Sequence, residues 1–136
     1  MNGSPRTKTI TLCALVALLV GALPSPAAEQ LTSNTASETG TDVSVDAAGS
    51  AHVVYERGGT IYYRGRTEAG WGEEEAVAAG TNPAVGVGAS SIPQVVFLAG
   101  GNVFWTGRDG GAWQAPVTIG TGSRVDLAVD AADVAH

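Results

Sequence analysis

The chain has 136 residues, and its seven basic and thirteen acidic side chains give a formal net charge of −6. An acidic surface repels phosphate groups, so we expect neither nucleic acid nor an anionic membrane as a partner. The one cysteine, Cys13, lies in the first segment, which leaves the rest of the chain without disulfide or thiolate chemistry.

The first 28 residues have the pattern of a secretory signal peptide. Arg6 and Lys8 precede an apolar run from residue 10 to residue 20, and small residues follow as far as Ala28. This order is typical of export signals, and the run is shorter than the ~20 residues that cross a bilayer as a helix. We expect cleavage after Ala28 or Ala27, a secreted or extracytoplasmic location, and a net charge of −8 afterwards, because all thirteen acidic residues remain.

Residues 29–40 are polar and offer almost nothing to bury. Such a composition is typical of a linker or a flexible arm. We therefore predict that the folded part of the chain begins at residue 41.

From Thr41 onward the sequence repeats itself at a constant offset of 42 residues. The clearest matches are 43–45 with 85–87 and 127–129, 52–55 with 94–97, 61–63 with 103–105, and Trp71 with Trp113. The offset predicts one unit at 41–82, a second at 83–124, and the start of a third at 125–136.

Within each unit, short runs rich in valine, isoleucine and aromatic residues alternate with glycine-bearing turns, which is typical of strands and hairpins. The first unit predicts antiparallel strands at about 42–46, 51–56, 60–66 and 73–79. A period of 40–45 residues with four strands is the size of a propeller blade. The predicted fold is all-β, a partial β-propeller with two complete four-stranded antiparallel blades and the first strand of a third. A β-sandwich is the alternative, but unrelated sandwich strands do not recur at constant spacing.

Residues 42–55, followed by 61–64 and Trp71, resemble the repeats of secreted sialidase-type (BNR, or Asp-box) propellers. The diagnostic turn of that family reads Ser/Thr-x-Asp-x-Gly-x-x-Trp. Residues 106–113 keep its hydroxyl, glycine and tryptophan, with Arg108 at the aspartate position, whereas residues 64–71 keep only the tryptophan.

In sialidase-like enzymes, the resemblance implies three arginines that hold a carboxylate, a tyrosine–glutamate nucleophile and an aspartate acid. None of these can be placed on a position of this chain. Ile92-Pro93 is similar to part of an arginine-isoleucine-proline motif, but Ser91 stands at the arginine position. We therefore predict no catalytic residue, no metal site and no cofactor.

Several recurring polar and aromatic residues have structural interpretations. We expect Trp71 and Trp113 to pack against their blades, and His52 and His136 to be hydrogen-bonded turn residues, since Gln94 replaces them in the middle unit. Asp46 and Asp130, which precede the Ala-Ala turns, are predicted to accept local backbone hydrogen bonds. The run Glu73–Glu75 is interpreted as a solvated edge strand.

Ligands of propellers usually meet the face made by the loops between strands two and three and between successive blades. The polar residues predicted on that face are Glu56, Arg57, Asn82, Asn102 and Arg124.

A chain with two blades leaves two apolar faces open. Exposing about three large side chains on each, at ~1.5–3 kcal/mol apiece, rivals the ~5–15 kcal/mol stability of a small domain. We therefore expect an incomplete propeller, in which further blades or self-association close the ring. The predicted function is a non-catalytic extracellular module that binds glycan or protein. The alternatives are the N-terminal part of a sialidase-like glycoside hydrolase, and an oligomeric lectin in which three chains pool two blades each.

Overall fold

A computed structural model describes residues 29–136, and the predicted signal peptide, residues 1–28, lies outside them. The described residues form strands and turns, so the all-β prediction is confirmed. Nowhere in this part of the chain is there a helix long and apolar enough to cross a membrane. Residues 31–136 belong to one compact unit.

The first repeat forms one antiparallel sheet of five strands: β1 (Thr39–Val45), β2 (Ala51–Arg57), β3 (Thr60–Thr67), β4 (Gly70–Trp71) and β5 (Glu75–Ala79). In this sheet β1, β2 and β3 are neighbours, and both β4 and β5 pair with β3. Gly58 and Gly59, with φ of 61° and 77°, form the two-residue turn between β2 and β3. Such a turn requires positive φ at both positions, which glycine adopts without strain.

The second repeat forms a second antiparallel sheet with the same order of strands. Its registers match at the repeat offset: Val54 lies opposite Tyr63 in the first sheet, and Val96 lies opposite Trp105 in the second. The predicted antiparallel unit is thus present twice. The strands are β6 (Thr81–Val87), β7 (Pro93–Ala99), β8 (Asn102–Asp109), β9 (Ala112–Trp113) and β10 (Val117–Thr121).

The fourth strand differs from its predicted extent of 73–79. Trp71 pairs with Arg66, so β4 forms a short hairpin with the end of β3. The strand that pairs with the first half of β3 is β5, which begins only at Glu75. The run lies at an edge strand as interpreted, with Glu73 and Glu74 exposed, but two of its three carboxylates are paired with arginines. Glu75 lies 3.0 Å from the Arg108 guanidinium of the second sheet, and Glu74 is bound by Arg57 of its own sheet.

The main hydrophobic core lies between the two sheets. The first sheet contributes Val54, Ile61 and Tyr63, and the second contributes Val85, Val95 and Phe97. Each of these side chains is at most 4% exposed. At ~1.5–3 kcal/mol for each large apolar side chain buried, this contact is the largest apolar contribution to stability in residues 29–136.

Aromatic and charged side chains extend the contact between the sheets. The Trp113 ring meets the Tyr63 ring of the first sheet edge-on at a centroid distance of 5.2 Å. This tryptophan therefore packs in the contact between the sheets, whereas the prediction placed it against its own blade. The Arg108 guanidinium lies 5.6 Å from both ring centroids. Because Arg108 also pairs with Glu75, its charge is balanced inside the contact.

The third repeat unit packs on the opposite side of the second sheet. The predicted first strand of a third unit is not formed: residues 125–136 have only one isolated antiparallel bridge, between Val129 and Ala135, at the register of Val45 and Ala51 in the first sheet. A Cβ on Gly86 would lie only 2.5 Å from Val129 Cγ2. Gly86 therefore makes the close approach of this segment possible.

Residues 31–38, here called the arm, lie beside the first sheet. The Arg64 guanidinium donates a hydrogen bond to the Leu31 carbonyl, and Arg57 Nη1 lies 3.6 Å from Glu38 Oε1. Arg57 and Arg64 alternate with the core-facing residues of β2 and β3, so they belong to the sheet face turned away from the second sheet. The arm is thus attached to the outer face of the first sheet.

Candidate functional site

A pocket of about 380 Å³ lies at the start of β1 and of β6, beside residues 124–126, which follow β10. Its lining consists of three residue triplets separated by the repeat offset of 42. The lining residues are Gly40, Thr41, Asp42, Asn82, Pro83, Ala84, Arg124, Val125 and Asp126.

Irregular backbone shapes this pocket. The pairing of β1 with β2 shifts register between Thr39 and Asp42, and that of β6 with β7 shifts at the equivalent place. Gly40 and Asn82 occupy one repeat position and have φ of 54° and 47°. A Cβ on Gly40 would lie 3.2 Å from Pro83 Cδ, so glycine allows the two strands to approach at the pocket wall.

Asp42 joins the two sheets at the pocket. Its Oδ2 accepts a hydrogen bond of 2.9 Å from the Val85 backbone N–H. Asn82 and Arg124 are both exposed, and neither side chain bonds to another described residue. The pocket therefore offers a free amide and a free guanidinium beside the carboxylates of Asp42 and Asp126.

Two of the five predicted ligand-face residues, Asn82 and Arg124, line this pocket. The other three do not. The Glu56 carboxylate accepts hydrogen bonds from Thr39 Oγ1 at 3.0 Å and from the Gly59 N–H at 3.2 Å. Asn102 Nδ2 lies 3.4 Å from the carbonyl of Gly100 in its own turn.

Arg57, the fifth predicted residue, is held in a cluster on the outer face of the first sheet. Its guanidinium bonds to both carboxylate oxygens of Glu74 and stacks 4.1 Å from the Tyr62 ring centroid. Glu74 also accepts a hydrogen bond from the Tyr55 hydroxyl. A ligand could bind Arg57 only by displacing Glu74.

The pKa shifts in this cluster all favour an ionised Glu74 paired with a charged Arg57 and a neutral Tyr55. Hydrogen bonding by Arg57, and then by Tyr55, lowers the pKa of Glu74 to about 2, against the opposing effect of burial. Burial and the neighbouring Glu74 raise the pKa of Tyr55. The hydrogen bond to Glu74 raises the pKa of Arg57. The ion pair therefore persists across the range of pH in which proteins usually work.

The sequence interpretation missed Asp42 and Asp126 as site residues. A signal for them was available in the sequence, because Asp42 and Asp126 occupy the same repeat position. Each lies two residues after Gly40 or Arg124, which share the repeat position of the predicted site residue Asn82. What could not be inferred was the register shift that brings these ends together.

The recurring histidines have local structural partners, as predicted. His52 Nδ1 lies 2.8 Å from the Tyr63 hydroxyl, and His52 Nε2 lies 3.4 Å from Asp46 Oδ2. In the third unit His136 Nε2 lies 3.1 Å from Asp130 Oδ2. Both aspartates accept backbone N–H bonds from the turn that follows, which confirms that prediction.

In the second sheet a different pair occupies the same two positions. Gln94 Oε1 accepts a hydrogen bond of 2.9 Å from Trp105 Nε1, where the first sheet has His52 and Tyr63. Glycine faces each pair: a Cβ on Gly65 would lie 2.8 Å from the Tyr63 hydroxyl. The repeats thus exchange one hydrogen-bonded pair for another, and the histidine position has a structural role.

Within residues 29–136, no three histidine, cysteine, aspartate or glutamate side chains come together in a way that could hold a metal ion. No protein-family model, curated protein or solved structure matches this chain. The fold and the pocket therefore define its class only as an all-β protein of repeated antiparallel sheets.

Proposed function

We propose that this chain is a partial β-propeller and a secreted, non-catalytic module that binds a glycan or protein ligand in the pocket between its inner strands. One observation carries the proposal: the same repeat positions of three consecutive repeats converge on a single pocket. The secreted location rests on the sequence pattern of residues 1–28.

The placement of the first strands supports the propeller architecture. At one end the three repeats share the pocket already described, and at the other end residues 45–47, 87–89 and 129–131 line a second, shallower depression. β1, β6 and residues 124–131 therefore lie close together at both of their ends. Inner strands gather in this way around the axis of a propeller.

The chemistry of the pocket favours a hydroxylated ligand. The Asn82 amide offers both a donor and an acceptor, Arg124 offers planar donors, and Asp42 and Asp126 offer acceptors. Sugar hydroxyls donate and accept hydrogen bonds at closely spaced positions, so they can satisfy all three kinds of group. Of the two ligand classes, glycans fit this mixture better than an apolar peptide.

Binding of immobilised oligosaccharides by residues 29–136 tests the proposal. We expect Arg124→Gln to weaken binding, and Asn82→Gly to do so without strain, because glycine tolerates the positive φ at this position. Asn102→Ala serves as the control, since Asn102 was predicted on the same face but lies outside the pocket. Equal losses in all three variants would contradict the proposed site, and hydrolysis of a sialoside by the wild type would favour the hydrolase alternative.

A further inference from the structure

The second sheet has an apolar face on the side away from the first sheet. It is made by Val96, Val103, Trp105, Val117 and Ile119, here called the uncovered face. Ile119 is 59% exposed and Val117 is 54% exposed. With Leu127 and Ala135, most of these residues line a groove of about 260 Å³. The third unit thus covers only part of the face.

The internal contact of the chain shows what fits such a face. Residues 54, 61, 63 and 77 of the first sheet are the repeat equivalents of 96, 103, 105 and 119. In the first sheet these residues are covered by the second sheet. Val77 packs against the core, whereas its equivalent Ile119 is largely exposed. A matching cover would be another sheet that presents aliphatic and aromatic side chains at the positions of Val95, Phe97, Phe104 and Trp113.

Gly122 lies beside a space that has the same repeat position as the space filled by the Phe97 ring in the internal contact. In the internal contact Gly80 leaves room for Phe97, whose Cδ2 lies 2.5 Å from where a Gly80 Cβ would be. Gly122 holds the same repeat position beside the uncovered face. Only Val103 Cγ2, at 3.3 Å, and the Arg124 carbonyl, at 3.7 Å, lie near its Cβ position. No ring fills the space at Gly122.

The first sheet carries a matching set of side chains on its outer face, beneath the arm and the Arg57–Glu74 pair, where Val53 is 6% and Tyr55 is 1% exposed. Val53, Tyr55, Tyr62 and Trp71 are the repeat equivalents of Val95, Phe97, Phe104 and Trp113. Tyr55 and Tyr62 stack at a centroid distance of 5.9 Å, as Phe97 and Phe104 stack at 5.5 Å. The two outward faces of the chain thus correspond to the two sides of its own internal contact.

We propose that the uncovered face is a self-association surface that accepts the outer face of the first sheet of a second copy. The geometry repeats the internal contact, with Tyr55 of the second copy beside Gly122. Such a contact joins different faces of the two copies, so it builds rings or open chains of copies.

Two segments of the chain compete with this association. The arm lies on the outer face of the first sheet, where it is attached through Arg57 and Arg64. Residues 125–136 occupy the position that β1 of the second copy would take. They are bound to the second sheet by hydrogen bonds from the Ser90 N–H and hydroxyl to Asp133 Oδ1. Association therefore requires both segments to move.

Association would also replace part of the pocket lining, because Val125 and Asp126 belong to the segment that moves. Asp42 of the second copy would take the place of Asp126, since the two aspartates hold the same repeat position. Sedimentation without a ligand therefore measures self-association alone, and its failure is distinguishable from a failure to bind glycan.

Sedimentation equilibrium of residues 29–136, up to about 1 mM, tests the proposal. We expect concentration-dependent association that Ile119→Asp weakens about tenfold or more, because a carboxylate would lose its hydration where an apolar side chain is buried. Ile92→Asp is the matched control: Ile92 is 45% exposed but lies in the turn before β7, outside the groove. Both sites tolerate a polar side chain in the single copy.

Freeing the arm should strengthen association. Glu38→Arg places a cation beside Arg57 and repels the arm from the sheet, whereas Glu68→Arg makes the same charge change in the exposed turn before β4. We expect stronger association for the first variant and no change for the second. An equimolar mixture of Ile119→Asp and Tyr62→Asp, each with one defective face, should form dimers and no larger species.

Three results would overturn the proposal. The first is a monomer at all concentrations for both the wild type and Glu38→Arg. The second is association that Ile119→Asp and Ile92→Asp weaken equally. The third is an Ile119→Asp and Tyr62→Asp mixture that does not associate although the wild type does.

Discussion

Gly80 and Gly122 occupy one repeat position in two different surroundings, so alanine at each site makes a controlled test of the packing. At Gly80 the new Cβ would lie 2.5 Å from Phe97 Cδ2 and 2.8 Å from the Leu98 carbonyl oxygen. At Gly122 the nearest atom, Val103 Cγ2, would be 3.3 Å away. Neither glycine has positive φ, so steric crowding is the difference between the sites.

The expected cost of Gly80→Ala follows from that crowding. Phe97 is 1% exposed and its ring is held by Phe104 and the core, and the carbonyl belongs to the β6–β7 pairing. Overpacking of this kind costs about 1–3 kcal/mol. At Gly122 a shift of Val103 by a few tenths of an ångström relieves the contact. There the ~0.4–1 kcal/mol gained by restricting the unfolded chain roughly offsets it.

Urea and thermal unfolding of residues 29–136 measure both variants against the wild type. We expect Gly80→Ala to lower the melting temperature by on the order of 5–15 °C and Gly122→Ala to leave it nearly unchanged. Equal shifts for the two variants would refute the reasoning, because they would mean that Phe97 does not pack against Gly80.

The remaining predictions concern polar contacts. Glu74 has a lowered pKa of about 2, so its contribution to stability is complete above pH ~4.5 and is lost as the pH falls toward 2. Glu74→Gln should therefore remove about 1 kcal/mol at pH 6, after allowance for solvent screening, and almost nothing at pH 2, as measured by urea unfolding at both pH values. Trp105→Phe leaves Gln94 Oε1 without its donor and should cost about 1–3 kcal/mol. A double-mutant cycle with Gln94→Leu should show coupling between the two residues, and additive effects would contradict it.

The strands could be predicted from the sequence because the repeat and the turns fix them locally. The glycine pairs at 58–59 and 100–101 end one strand and start the next, and the constant offset transfers every element from one repeat to the other. The short strand Gly70–Trp71 was missed, since two residues carry no period that could distinguish a strand from a turn.

The site could be predicted only in part. Arg124 lies in the loop after β10 and Asn82 lies at the start of β6. The repeat offset alone indicates that both lie at the same end of their units. Arg57 is the last residue of β2, and its charge is balanced by Glu74, seventeen residues further along the chain. A contact at that separation depends on how β5 returns beside β3, which the local pattern does not specify.

The exchange of His52 and Tyr63 for Gln94 and Trp105 illustrates the same limit. The repeat offset pairs His52 with Gln94 and Tyr63 with Trp105. The sequence alone does not indicate that these two differences are linked, because the residues are far apart along each repeat. The two-residue turn sets His52 opposite Gly65 and Tyr63 opposite Val54, so residues 52 and 63 are diagonal neighbours on one face. Only with that register do the two changes become a single exchange of hydrogen-bonded partners.

The contact between Tyr63 of the first sheet and Trp113 of the second tests the face-to-face packing of the repeats most directly. In isotope-labelled residues 29–136, we expect strong nuclear Overhauser effects between the two rings, whose centroids are 5.2 Å apart. Absence of these signals in a folded sample, with the Tyr63 ring instead contacting residues of its own sheet alone, would contradict the stacking of the two sheets.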